Sequence, residues 1–82
     1  MMLTNKTILI IGGSTGLGLA AARACRAAGA RLMLVGRSQA SLDGALAEFG
    51  DAAIGLAGDA MDSATAPAAI KLALDHFGSV DA

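Results

Sequence analysis

The chain has 82 residues, 55% of them hydrophobic and 16% charged, with a formal net charge of −1. That length gives one small domain, residues 1–82, able to bury about two thirds of its unfolded surface, and the composition excludes a disordered tail. With no basic stripe, neither nucleic acid nor an anionic membrane surface is an expected partner.

At the N-terminus, Lys6 followed by "TILII" imitates the start of a secretory signal. The apolar run breaks at Gly12 and the polar Ser14 and Thr15 follow, so no apolar signal core forms. No apolar stretch approaches the roughly 18 residues a bilayer span needs. Cys25 is the single cysteine, which excludes an internal disulfide and suits a reducing compartment. A soluble, cytoplasmic protein is expected.

"TILII" (7–11) is apolar or β-branched throughout, as a strand covered on both faces would be. From Leu17 the period changes. Leu17, Ala20, Ala21, Ala24, Cys25 and Ala28 recur at three- and four-residue steps, with Arg23 and Arg26 off that stripe, which predicts a helix burying a small-residue face. Gly29 is its expected left-handed stop. "RLMLV" (31–35) reads as a second buried strand, and Ser38 or Ser41 can cap the helix "SLDGALAEF", which stops at Gly50. "AAIGLA" (52–57) is the third strand. The third helix carries Ala66, Ala69, Ile70, Ala73, Leu74 and Phe77 on one face and Gly78 beyond it. Asp62 or Ser63 could cap it, but Pro67 suits a first helical turn and favours a start near Thr65. At "SVDA" a fourth strand can begin.

Strand and helix thus alternate three times through short loops, which implies an α/β fold with a parallel sheet and right-handed crossovers. In such a sheet, ligands bind beyond the carboxyl ends of the strands. Gly12, Gly13, Gly16 and Gly18 lie there, where the first strand hands over to the first helix. A helix N-terminus offers unpaired N–H groups and partial positive charge to a phosphate, and glycine lets the backbone come close.

Three phosphate-binding patterns compete. A P-loop needs Lys-Ser/Thr after its last glycine, whereas Leu19-Ala20 follows Gly18. The pattern G-x-G-x-x-G/A can be laid on Gly16, Gly18 and Ala21, but Gly16 lies too far from Ile11 to open the turn. The spacing that fits is Gly12-x-x-x-Gly16-x-Gly18. At the next strand end, Gly36 stands where an acidic side chain would bind a free ribose diol, and Arg37 beside it suits a 2′-phosphate. NADP is therefore the expected cofactor, ahead of NAD. Cys25 and Met33 read as packing residues, as does Met61. His76 complements the dipole at a helix end. No metal-ligand spacing is present.

On these residues the chain resembles the short-chain dehydrogenase/reductase family, whose first turn reads T-G-x-x-x-G-[IL]-G. "GARLMLVGRS" is similar to the family's second strand and adenosine-ribose corner. "GDAMD" is similar to its Asp-hydrophobic pair, and "HFGSVD" to the lead into its fourth strand. The resemblance implies a Rossmann-like three-layer fold of strand order 3-2-1, truncated before or at strand four. It implies a pyrophosphate seat at Gly12, Ser14, Thr15, Gly16, Leu17 and Gly18, with Arg37 and Ser38 at the ribose. Asp59 would meet the adenine and Ala60 its ring. Ile11 departs from the family's usual Thr, which touches a local hydrogen bond more than the glycines.

In that family the Asn-Asn-Ala-Gly segment, the catalytic Ser and the Tyr-x-x-x-Lys pair lie further along, and this chain contains no tyrosine. No catalytic residue is therefore assigned. The expectation is the NADP(H)-binding portion of an oxidoreductase that moves hydride between nicotinamide and a carbonyl or alcohol. A non-catalytic NAD(P)-binding module, or a truncated gene product, is the alternative. An outer edge of "TILII" without strand four is expected to pair with another chain.

Overall fold

In a computed structural model, which describes residues 2–82, three strands and three helices alternate along the chain. Strand β1 (Thr7–Ile11) leads to α1 (Gly16–Ala27), β2 (Arg31–Gly36), α2 (Gln39–Phe49), β3 (Ala53–Ala57) and α3 (Thr65–Phe77). One turn of 3-10 helix, Gly50–Ala52, joins α2 to β3. The strands form a single parallel sheet in the order β1-β2-β3, with Thr7 opposite Arg31 and Leu32 opposite Ala53.

The central strand explains the layering. Side chains alternate across a strand, so Leu32 and Leu34 point one way and Met33 and Val35 the other, all four buried. Leu32 and Leu34 meet Ala22 of α1 and Leu42 and Ala45 of α2. Met33 and Val35 meet Ala69 and Ala73 of α3 on the opposite face. The expected three-layer α/β architecture and its 3-2-1 order are present, and no helix among the described residues is long and apolar enough to cross a membrane.

Helix α1 turns a different face inward than its alanine spacing predicts. Leu17 is 91% exposed, and Ala20, Ala21 and Ala24 are exposed too. The inward stripe runs one position later, through Gly18, Leu19, Ala22 and Cys25. Alanine carries little hydrophobic weight and sits on both faces of this helix, so its period leaves the rotation open. The contact between Gly18 and the preceding turn decides it. Arg23 then lies outward, where it grips Glu48 of α2 at 2.7 and 2.8 Å.

In α3 the seat on Met33 and Val35 centres on Ala69 and Ala73, small residues that let the helix come close to the sheet. Ile70 and Leu74, expected inside, stand at the flank of this seat and remain 40% and 47% exposed. Met61 is likewise no packing residue: it projects from the loop before α3, 90% exposed. Other local signals agree with the structure. Ser38 caps α2, its hydroxyl accepting from the Ser41 N–H at 3.3 Å, and α3 begins at Thr65. Gly29 and Gly78 both adopt positive φ just past their helices.

The residues after α3 lie along the outer edge of β1. The N–H of Asp81 donates to the Thr7 carbonyl and that of Leu9 to the Ala82 oxygen, both at 2.8 Å. The Asp81 carboxylate accepts from the Thr7 N–H at 2.8 Å. A fourth strand is thus present only as these first contacts.

Candidate functional site

Where the three strands end, Ile11, Gly12, Val35, Gly36, Arg37, Gly58 and Ala60 line a cleft of 120 Å³. One side of it is the β1–α1 turn. Gly12 and Gly16 hold φ of +82° and +56° there, a region that strains any side-chain-bearing residue. A Cβ on either would meet no atom within 4 Å, so their faces are open to the solvent side of the turn. Gly18 is required for another reason. A Cβ there would lie 1.9 Å from the Gly12 carbonyl oxygen and 3.1 Å from the Gly13 Cα. The first turn of α1 therefore rests directly on the backbone of the loop.

The N–H groups of this turn have two different uses. Those of Gly12 and Gly13 both donate to the Val35 carbonyl, at 2.7 and 3.2 Å, which ties the loop to the central strand. Inside α1 the bond from the Leu19 N–H to the Thr15 carbonyl at 3.2 Å is the first. The N–H groups of Gly16, Leu17 and Gly18 precede it and have no acceptor within the helix. Thr15, the N-cap residue, makes no side-chain cap, and the first turn contains no acidic residue. The helix end is left with its donors and its partial positive charge uncompensated.

The remaining predicted residues fall around the same cleft with differing postures. Ser14 is buried beneath the turn, its hydroxyl directed at Gly36. Thr15 and Leu17 are exposed on the turn's outer surface. Arg37 is exposed at the cleft wall and makes no hydrogen bond or ion pair with any described residue. Ser38 is engaged in capping α2. One carboxylate oxygen of Asp59 accepts from the Met61 N–H at 2.8 Å, closing a turn that brings Ala60 to the cleft.

Gly36, read from the sequence as the ribose-corner position, lines the cleft, and so does Gly58, which sequence reasoning did not single out as a site residue. Each is a glycine at a strand end, and that placement was the available signal. The Gly58 N–H donates to the Gly36 carbonyl at 2.9 Å, extending the β2–β3 pairing one step into the site. No cluster of His, Cys, Asp or Glu able to hold a metal ion occurs among the described residues.

The relatives of this chain are enzymes about three times its length. It is 40% identical over 88 aligned positions to L-rhamnose 1-dehydrogenase (NAD(P)(+)) of Azotobacter vinelandii, covering 99% of this chain and 34% of that protein. It is 36% identical over 81 positions to a sorbitol dehydrogenase of Cereibacter sphaeroides, covering 99% of this chain and 32% of the relative. Among solved structures, a 3-ketoacyl-(acyl-carrier-protein) reductase from Brucella melitensis complexed with NADH superposes with a TM-score of 0.90 at 37% identity, over 96% of this chain and 32% of that one. Residues 6–82 match the family model for short chain dehydrogenase, and the chain belongs to that family.

Proposed function

We propose that this chain binds a nicotinamide dinucleotide, with NADP preferred over NAD, as the cofactor-binding part of a cytoplasmic oxidoreductase acting on a carbonyl or alcohol. The observation that carries the reading is the uncapped N-terminus of α1 above a turn whose two positive-φ glycines leave open space. The residues fit the group on that ground. Three free N–H groups and no acidic side chain suit a pyrophosphate, and no Cβ holds it away.

In this reading Gly16, Leu17 and Gly18 donate their N–H groups to the pyrophosphate, and Gly12 keeps the surface open. Thr15 flanks it, while Ser14 supports the turn from below. Arg37 offers its forked donors to a 2′-phosphate, and Ser38 holds the start of α2 beside it. Asp59 and Ala60 form the adenine wall, with the free carboxylate oxygen of Asp59 available to an amino group. When bound, the nicotinamide would supply or accept a hydride, and the 82 residues, which contain no tyrosine, would contribute binding and orientation alone. The NAD(P)(+) in the name of the rhamnose dehydrogenase and the NADH held by the reductase belong to those proteins. They support the cofactor class and leave the choice within it to Arg37.

Titration calorimetry of the chain with NADP and with NAD tests the proposal. Saturable binding of NADP, about tenfold tighter than NAD, is the expected result. Absence of binding to either dinucleotide overturns it.

A further inference from the structure

We infer that Ser14 sets which ribose the site accepts, by filling the volume that an acidic side chain at position 36 would need. The inference rests on the dinucleotide reading above and goes beyond it, because it moves part of the choice of cofactor from the charge of Arg37 to a buried hydroxyl. A Cβ built on Gly36 would stand 2.5 Å from the Ser14 Oγ and 3.1 Å from the Ser14 Cβ. The next atom, the Leu42 Cβ, lies at an ordinary 3.9 Å. Ser14 is thus the sole close obstacle.

Rotation of the hydroxyl would relieve only the first of these contacts. The Ser14 Cβ is fixed by its backbone, and that backbone has little room to move. Gly12 and Gly13, just before it, are both bonded to the Val35 carbonyl. Gly36 follows Val35 and is held from its other side by the Gly58 N–H at 2.9 Å. The two segments are clamped to the same stretch of β2, and packing this dense does not yield by several tenths of an ångström without cost.

The consequence concerns specificity. A carboxylate at the end of the second strand accepts hydrogen bonds from a free 2′,3′-diol and repels a 2′-phosphate. With Ser14 present, this backbone cannot carry that carboxylate in place, so the site is held in the form that leaves a 2′-phosphate unopposed and Arg37 facing it. Ser14 acts here as a specificity residue through Gly36, without touching the cofactor. Replacing Ser14 by glycine removes both short contacts at once, whereas alanine keeps the 3.1 Å one.

The test is a set of variants of the chain, read both without ligand and by calorimetry with NAD and NADP. Without ligand, Gly36→Ala lowers the melting temperature in the parent and lowers it clearly less in the Ser14→Gly background. Equal losses in the two backgrounds overturn the steric coupling. With ligand, Gly36→Asp alone loses affinity for both dinucleotides or fails to fold. The pair Ser14→Gly/Gly36→Asp binds NAD about tenfold better than NADP, reversing the parent's order. A single Gly36→Asp variant that binds NAD as tightly as the pair overturns the role of Ser14, as does a pair that still prefers NADP. A parent chain that binds neither dinucleotide overturns the underlying reading instead, which the ligand-free melts distinguish from a failure of the Ser14–Gly36 coupling.

Discussion

Gly18 lies so close to Gly12 that a Cβ on the first would overlap the carbonyl oxygen of the second, at 1.9 Å. The contact is backbone on backbone, so no rotamer change relieves it. It fixes the rotation of α1, and with it the direction in which the free N–H groups of Gly16, Leu17 and Gly18 point.

Substituting Gly18→Ala must therefore push the helix off the loop. Overpacking of ordinary cores costs about 1–3 kcal/mol, and a clash between main chains belongs at the top of that range. The expected result is a melting temperature lowered by ten degrees or more on the roughly 4–8 °C per kcal/mol scale of a small domain, with dinucleotide binding lost. Gly44, exposed within α2 with nothing near its missing Cβ, is the contrast. Gly44→Ala is expected to stabilise the chain by about 0.5–1 kcal/mol. Thermal melts of the two variants side by side check both, and similar behaviour of the two would contradict the role given to the Gly12–Gly18 contact.

Arg37 makes no bond to the described protein, so its removal should leave the fold alone. Arg37→Ala is expected to weaken NADP by about ten- to a hundredfold, the worth of hydrogen bonds to a charged group at about 1.5–3 kcal/mol, and to change NAD affinity little. Arg37→Lys keeps the charge and loses the fork, and so recovers only part. Calorimetry with both cofactors measures this. An equal loss for NAD and NADP would show that Arg37 does not read the 2′-phosphate.

The pairing of Arg23 with Glu48 joins α1 to α2 on the exposed surface. The hydrogen bond from Arg23 holds the Glu48 carboxyl below its ordinary value of 4.5. A carboxylate whose folded value is depressed contributes stability above its unfolded value and loses it as pH falls through the folded one. The melting difference between the parent and Glu48→Gln should therefore be small and constant near neutrality, and vanish in acid below the usual glutamate range. Because both groups are exposed, it should also shrink in high salt. A difference that grows on acidification would contradict the assignment.

Much of this site was legible in sequence because strands and turns declare themselves chemically. The apolar run 7–11 and the glycines behind it locate the loop, and Pro67 and Thr65 locate the start of α3. What the sequence did not disclose depends on tertiary rotation. The alanines of α1 fit two faces nearly equally, and only the Gly12–Gly18 contact chooses between them. Ser14 and Gly36, 22 positions apart, become neighbours because β1 and β2 pair in register with Ile11 opposite Val35. No local pattern announces that meeting. Nor does one reveal that the carboxylate of Asp81 reaches back to the start of β1.

That last contact yields a prediction about the sheet edge. Thr7 is fully buried, and its outward N–H is satisfied by the Asp81 carboxylate rather than by a neighbouring strand. Along β1 the odd-numbered residues aim their peptide groups at this edge, since the even ones face β2. Asp81 and Ala82 engage Thr7 and Leu9, and the Ile11 N–H beyond them has no partner among the described residues. Asp81→Ala keeps the main-chain bond to the Thr7 carbonyl but orphans the buried N–H, a loss in the range of about 1–3 kcal/mol. Because Asp81 itself is exposed and water can enter behind it, about 1 kcal/mol is expected, a fall of roughly 4–8 °C in melting temperature. Asp81→Asn, whose amide oxygen still accepts, should recover most of it. The released edge should also recruit a second strand. Light scattering across a concentration series is then expected to show the Asp81→Ala chain associating at lower concentration than the parent. A variant that melts like the parent and scatters like it would show that Asp81 neither holds Thr7 nor shields the edge.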